Sequence, residues 1–285
     1  GAGVVEAFLL GAAQDGGFPQ FGCYCDNCSS VYSGRATTDT AVSLAIIDRS
    51  ESKWFLMEAA PQLHAQWTTF ASRLRGLTLA GVFLTHAHTG HYPGLLFLGK
   101  ECMDTSDVPV YATAEMHDFL QANEPWAVLY RTGNIRRVEV RSGERTAITT
   151  SISVTPQTVL HRRDFTDTCA FHVAGRSRTL FFCPDIDCWD DMTPALADVI
   201  TTSDIALLDA TFYDNHELPG RDMGVIPHPR VVDTISRLDS IAHAAEVALV
   251  HMNHSNRLWV DRTLEESLFR DHGLRVGRAG MGWAL

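Results

Sequence analysis

Three histidines lie close together directly after an apolar segment of the chain. Residues 77–84 are mostly apolar, and His86, His88 and His91 follow them. A buried strand that ends here would place the imidazoles at the carboxyl edge of a sheet, where open α/β folds collect ligands. Imidazole is a common ligand of zinc, iron and copper. The segment therefore predicts a metal site.

The spacing of these histidines separates them into two roles. His86 and His88 are two residues apart, so on an extended segment they project to the same side and can share one ion. His91 lies beyond the turn and is free to face a second ion. With 13 histidines in 285 residues one close pair would mean little. Three at a strand end favour a metal site over a chance grouping.

A second set of metal-ligand residues lies near the amino terminus. Cys23, Cys25 and Cys28 form a Cys-x-Cys-x-x-Cys run, which can hold one tetrahedral zinc but needs a fourth ligand, for which His254 is the candidate. The alternative is a group of buried or disulfide-bonded cysteines. Seven cysteines, an odd number, do not suggest a disulfide framework, so a reducing compartment, the cytoplasm, is the expected location.

The histidine segment resembles the His-x-His-x-Asp-His signature of the metallo-β-lactamase superfamily. This resemblance implies an α/β fold, the αββα sandwich, with an active site at one edge, and it extends over nearly the whole chain. It also implies three further ligands, each directly after an apolar run: His161, His251 and the bridging carboxylate Asp185.

The ligands implied by the resemblance divide into two sets that share Asp185. The first ion would be held by His86, His88 and His161, and the second with the help of His91 and His251. The sequence departs from the signature at one position, where Gly90 stands in place of Asp. We expect this change to remove a ligand and a negative charge from the second site, and Gly90→Asp to restore an oxygen donor.

Two narrower resemblances involve the amino-terminal segment. Residues 11–20, which run into the cysteines, resemble the start of the coenzyme PQQ synthesis protein B group, which has a similar cysteine run. The cysteine spacing is also similar to that of the phosphonate-pathway cyclic phosphodiesterases. In those proteins a histidine three residues after the last active-site histidine completes a structural zinc, an arrangement that His251 and His254 reproduce.

Composition limits the classes of function. The chain is 45% hydrophobic, enough for a sizeable core, and we expect a single domain over residues 1–285. A net charge of −11 argues against a nucleic-acid partner, and no apolar stretch approaches the roughly 20 residues of a membrane span. A small-molecule substrate is the expected partner, and a homodimer is compatible with the composition.

Local patterns indicate mixed strands and helices in two blocks. Strands are predicted at residues 4–10, 42–47 and 54–57, and later at 152–154, 169–173, 179–182 and 205–208. Helices are predicted at residues 61–74, 114–122 and 229–238. Such blocks suit a sheet-on-sheet core with helices outside.

These features together predict a metal-dependent hydrolase of small esters, lactones or phosphodiesters. One or two zinc, manganese or iron ions would activate water, with zinc at the cysteine site. Asp185 would take part in catalysis, and His228, in a loop near the expected pocket, would donate a proton. Asp209, at the end of an apolar strand, would either orient a ligand histidine or cap the strand.

Two other functions remain open at the level of sequence. An iron- and O2-dependent oxygenase of the PQQ synthesis protein B type would use the same histidines and Asp185, with open positions for O2. A non-catalytic binding protein would follow if Gly90 marks a degenerate site.

Overall fold

The alternation of apolar runs and turns produces a layered α/β structure. The computed structural model describes residues 4–285. Its strands are β1 (Val5–Gly11), β2 (Ser43–Asp48), β3 (Lys53–Met57), β4 (Thr78–Phe83), β5 (Val108–Ala112), β6 (Ile135–Glu139), β7 (Thr146–Ala147), β8 (Ser153–Val159), β9 (Thr168–Ala174), β10 (Thr179–Cys183), β11 (Ile205–Asp209), β12 (Glu246–Val250), β13 (Leu274–Val276) and β14 (Gly282–Ala284).

These strands form two mixed sheets. Within the described residues each sheet has seven strands, in the orders β14-β1-β2-β3-β4-β5-β6 and β13-β12-β11-β10-β9-β8-β7. The α-helices are α1 (Asp26–Tyr32), α2 (Leu63–Leu74), α3 (Ala114–Ala122), α4 (Trp126–Arg131), α5 (Leu196–Thr202), α6 (Val231–Asp239) and α7 (Arg262–His272). None of the helices found between residues 4 and 285 is long and apolar enough to cross a membrane.

The central strands are apolar on both faces because both faces are covered. In β2, Leu44 and Ile46 face the core between the two sheets, whereas Ala45 and Ile47 face the layer that contains α2 and α3. The two-residue period of a strand sends alternate side chains to these opposite layers. On the far side of the second sheet, Phe181 and Leu208 pack with residues of α5 and α6. The predicted αββα sandwich is confirmed.

Strands β1, β4, β8, β10 and β12 are among those that end at the same edge of the sandwich. Strands β3 to β6 run parallel to one another, as do β10 to β13, and β1 and β8 share the direction of the parallel strands in their own sheets. The chain therefore leaves β1, β4, β8, β10 and β12 at one edge. This edge is where the predicted ligands follow their strands.

Candidate metal centre

The first cluster of donor atoms lies where β4, β8 and β10 end. His86 Nε2 lies 2.8 Å from His88 Nδ1, which lies 3.1 Å from His161 Nε2. Asp185 completes the cluster, with carboxylate oxygens 3.3 Å from His86 Nε2 and 3.2 Å from His161 Nε2. Metal bonds of about 2.0–2.1 Å at angles of about 90 to 109° would separate neighbouring donors by about 2.9 to 3.4 Å. The spacing of this cluster is close to that range.

A second cluster shares Asp185 with the first. Asp185 Oδ2 lies 3.5 Å from His91 Nε2 and 3.4 Å from His251 Nε2. Asp15 joins these three residues, with Oδ1 3.2 Å from each of the same two ring nitrogens. The second cluster therefore contains two histidines and two carboxylates.

The expectation that Gly90 leaves the second cluster without its own carboxylate is wrong. A Cβ atom on Gly90 would lie 2.4 Å from Oδ1 and 2.5 Å from Cγ of Asp15. The carboxyl group that the signature places at position 90 is supplied here from the loop after β1. An aspartate at position 90 would collide with Asp15, so the expected simple gain of a donor from Gly90→Asp does not hold.

All five clustered imidazoles also make a contact through the ring nitrogen that faces away from the cluster. A metal-ligating histidine commonly uses that nitrogen to bond a carboxylate or another polar group, which fixes the orientation of its ring. The partners are Thr85 for His86 (2.8 Å), Asp164 for His88 (2.9 Å), Glu58 for His91, Asp187 for His161 (2.8 Å) and Thr211 for His251 (2.8 Å).

Two of these residues adopt a backbone conformation that side chains rarely take. Glu58 has a φ of 72° and His251 a φ of 65°. Glu58 is completely buried and accepts hydrogen bonds from the backbone N–H and hydroxyl of Thr85, both at 2.9 Å. Left-handed backbone at non-glycine residues costs about 1–3 kcal/mol and is concentrated at functional sites. The strain falls on the residues that orient or form the second cluster.

Burial and neighbouring charges set the protonation of the cluster. Burial alone would raise the pKa of Asp185, but His251 and His161 hold that pKa well below its usual range. Burial lowers the pKa of His86, and the charge of His91 lowers it further. Burial also opposes protonation of His91, yet Glu58 and Asp15 raise its pKa well above the usual value. Asp185 is therefore ionised and His86 neutral, the forms that bind metal, whereas His91 is held protonated and would release a proton when an ion binds.

The donor set fits metal ions. His91 Nε2 and Asp185 Oδ1 are buried and lie near other cluster atoms, but in the part of the chain that the structure describes neither has a partner with hydrogen-bond geometry. Buried polar atoms are rarely left unpaired, because their desolvation is then uncompensated. Both atoms belong to the clusters, where an ion would satisfy them. Nitrogen and carboxylate donors of this kind suit zinc, manganese and iron.

His228 and Asp209 lie beside the clusters. His228 Nδ1 is 2.8 Å from Asp209 Oδ2 and 3.4 Å from Asp185 Oδ1. Burial lowers the pKa of His228, but the Asp209 charge outweighs burial and raises that pKa to about 9. The other oxygen of Asp209 accepts from the backbone N–H and hydroxyl of Thr211, which contacts His251. Asp209 therefore caps the end of β11 and positions Thr211, which contacts His251.

The cysteine cluster is assembled as the sequence predicts. His254 Nδ1 lies 3.6, 3.5 and 3.6 Å from the sulfurs of Cys23, Cys25 and Cys28. A tetrahedral zinc with bonds of about 2.0 Å to nitrogen and 2.3 Å to sulfur would place these atoms about 3.6 Å apart. Asn27 fixes the opposing loop by donating to the carbonyl of His254 at 3.0 Å. All seven cysteines are free, so the disulfide alternative does not hold.

The structure brings every predicted metal-site residue into one of these clusters and places His228 next to them. Asp15 and the polar partners Glu58, Asp164 and Asp187 were not predicted from the sequence. Two of these had an available signal, because Glu58 directly follows β3 and Asp187 lies two residues after Asp185. Asp15 and Asp164 lie in loops and carried no such signal.

Known proteins with the same fold match almost the whole chain. The chain is 25% identical to coenzyme PQQ synthesis protein B of Acinetobacter baylyi, over 96% of this chain and 97% of the relative. Zn(2+)-bound PqqB from Methylobacterium extorquens gives a TM-score of 0.83 at 20% identity and covers 98% of this chain and 100% of that chain. A diphosphatase from the PhnP family gives a TM-score of 0.70 at 17% identity, and the match covers 99% of this chain and 97% of that chain.

A family model agrees with these likenesses. The model of the β-lactamase superfamily domain matches residues 53–252, which include six of the histidine and aspartate residues of the two clusters that share Asp185. The match covers well over half of the chain. This protein therefore belongs to the β-lactamase superfamily.

Proposed function

We propose that this protein is a metal-dependent hydrolase that uses water to cleave a small ester, lactone or phosphodiester. The observation that carries the proposal is the pair of donor clusters joined by Asp185. One carboxylate shared by two clusters is the arrangement expected of a two-metal hydrolytic site. Ions bound there would supply Lewis acidity and a water-derived nucleophile at neutral pH.

Residues of this chain would donate the proton and position the reacting groups. In hydrolysis a bond forms from the water oxygen to the carbonyl carbon or phosphorus, and the bond to the leaving alcohol oxygen breaks. His228 is placed to give that oxygen a proton, because it lies at the edge of both clusters and Asp209 favours its protonated form. Asp185 and the oriented imidazoles would fix the reacting geometry.

The charges around the site support a small anionic substrate. Arg162 lies 3.7 Å from Asp164, the partner of His88, and its charge acts on His228. It is half exposed, so its guanidinium is available to a phosphate or carboxylate of a ligand. The net charge of −11 disfavours a long nucleic acid, whose many phosphates need an extended basic surface.

The second candidate is an iron- and O2-dependent oxygenase of the PQQ synthesis protein B type. The likeness to proteins of that name over nearly the whole chain favours it. The first cluster, with three imidazoles and one carboxylate, is also a set that iron accepts. The position of Asp15 argues against the third candidate, a binding protein with a degenerate site, because its carboxylate lies where a side chain at Gly90 would be.

Metal analysis separates the two remaining functions. The protein would be purified without added metal, and its zinc, manganese and iron would be counted by mass spectrometry. We expect about three ions per chain, one of them at the cysteine cluster, with hydrolysis of bis(p-nitrophenyl) phosphate or a lactone panel. Retained redox-active iron with oxygen consumption, and no hydrolysis, would replace the hydrolase proposal by the oxygenase.

A further inference from the structure

Asp15 lies outside every ligand segment that the resemblance suggested, yet its carboxylate faces the second cluster. It is 236 residues from His251 in sequence, and its Oδ1 lies 3.2 Å from the Nε2 atoms of both His251 and His91. The side chain is one-fifth exposed, so it is not a free surface carboxylate. It completes the second cluster from the loop that follows β1.

Backbone hydrogen bonds fix the position of this loop. Gln14 donates to the carbonyl of Met252 at 2.9 Å, and Ala13 donates to the carbonyl of Thr40 at 2.8 Å. Gly17 closes a turn by donating to the carbonyl of Gln14 at 2.8 Å. Because Met252 directly follows His251, the same contact aligns the loop with that histidine. Asp15 is therefore held in place by the backbone on both sides.

Gly90 provides the space that Asp15 occupies. The missing Cβ of Gly90 would lie 2.4 Å from Oδ1, 2.5 Å from Cγ and 2.9 Å from Cα of Asp15. A change in the Asp15 side chain can relieve the first two contacts, whereas the third, with a backbone atom, requires a small shift of the loop. Glycine at this position is required by space and not by a left-handed backbone, since Gly90 is not among the residues with positive φ. The two positions cannot both carry a carboxylate in this geometry.

We propose that Asp15 is a ligand of the second metal site and that positions 15 and 90 form an exchangeable pair, one supplying the carboxylate and the other being glycine. This inference rests on the proposed metal centre. It predicts that removing Asp15 weakens the second ion and that moving the carboxylate to position 90 restores it. The net charge of the centre stays the same in the exchange, because one aspartate replaces another.

The test uses the full chain in three variants: Asp15→Gly, Gly90→Asp and the double exchange Asp15→Gly/Gly90→Asp. The readout is metal content and zinc affinity, measured by mass spectrometry and by calorimetric titration of demetallated protein with zinc alone. Asp15→Gly should weaken the second-site ion at least about tenfold and lower the retained metal by one equivalent. Gly90→Asp alone should also weaken it, because the two carboxylates collide. The double exchange should restore most of the second-site affinity, because it removes the contacts with Oδ1 and Cγ and leaves only the 2.9 Å contact with Cα, which a small shift of the loop relieves.

A matched control separates ligand loss from a general change in charge. Asp107 is 71% exposed and lies in the left-handed region with a φ of 56°, which asparagine tolerates, so Asp107→Asn removes one charge without disturbing the fold. Its second-site affinity should equal that of the wild type. Retention of the cysteine-bound zinc serves in each variant as a sign that the amino-terminal region has folded.

The outcomes distinguish this inference from the proposed function. Wild-type protein that binds only the cysteine-site ion would contradict the proposed metal centre and, with it, the hydrolase proposal. If the wild type binds all its ions and Asp15→Gly binds them equally well, Asp15 is not a ligand, while the hydrolase proposal stands. If Asp15→Gly loses the ion and the double exchange fails to recover it, the exchange is wrong.

Discussion

Replacing Cys25 with serine should remove the cysteine-bound ion and lower the stability of the fold. Cys25 is exposed, so the substitution costs little packing and mainly changes the ligand. Serine is a poor zinc ligand at neutral pH because its hydroxyl stays protonated. The remaining ligands, Cys23, Cys28 and His254, should then lose the ion to an excess of chelator.

The expected loss of stability follows from the length of chain that the bound ion closes into a loop. Cys25 and His254 are 229 residues apart, and a cross-link over a loop of that length restricts the unfolded chain by about 5 kcal/mol. Zinc that binds the thiols of the unfolded chain reduces this value. For a chain of this size about 1 kcal/mol corresponds to about 2 °C in Tm. The expected fall in Tm is therefore up to about 10 °C.

Differential scanning calorimetry and metal counting check this prediction on the same samples. Cys102→Ser is the matched control, because Cys102 is also an exposed free thiol but belongs to none of the clusters. The control should keep its metal and its Tm. The reasoning would be refuted by a Cys25→Ser protein that retains one equivalent of zinc against chelator, or that melts within about 1 °C of the wild type.

Three further predictions concern the active site. His88→Ala should abolish turnover and leave the cysteine-bound zinc in place, as steady-state rates and metal counts would show. The control His216→Ala, at an exposed histidine outside the clusters, should change neither the turnover nor the metal content. His228→Ala should lower kcat by about 10²- to 10⁴-fold with an unaltered metal count, if the residue donates a proton; a kcat near that of the wild type would remove it from the mechanism. Thr211→Val should weaken the second-site ion about 10- to 100-fold by releasing the ring of His251, and equal zinc affinities in calorimetric titration would contradict that role.

The strand-end histidines and Asp185 were predictable because their positions are defined by local sequence. His86, Asp185 and His251 each follow a continuous apolar run, and a strand with both faces buried has that pattern. The arrangement of the strands into two sheets was predicted from the resemblance to the superfamily, since periodicity alone does not order strands within a sheet.

Elements with mixed composition were missed for identifiable reasons. β5 contains Pro109, which lacks the N–H that a ladder needs and makes the segment a poor strand by pattern. β6 lies at the edge of its sheet, and its sequence is rich in charged residues because one face meets solvent. The prediction of one domain over residues 1–285 stays a prediction.

Asp15 could not be found from local sequence at all. It lies in a loop of polar and glycine residues, and its partners His91 and His251 lie far from it in the chain. Only the packing of β1 beside the end of β12 brings them together, through the bridge between Ala13 and Met252. Gly90 was visible as a departure from the signature, but the compensating residue required the tertiary structure.

The loop after β1 and the loop after β12 each contribute to the second cluster and to the cysteine cluster. The first carries Asp15 and then Cys23, and the second carries His251 and then His254. Phe18, between the two ligands of the first loop, stacks on Trp259 with ring centroids 4.5 Å apart. An ion in the second cluster and an ion in the cysteine cluster would therefore restrict the same two loops, and by linkage any gain in affinity that one gives the other would be reciprocal. With such coupling, oxidation of the exposed Cys25 would loosen an ion in the second cluster without altering any ligand there.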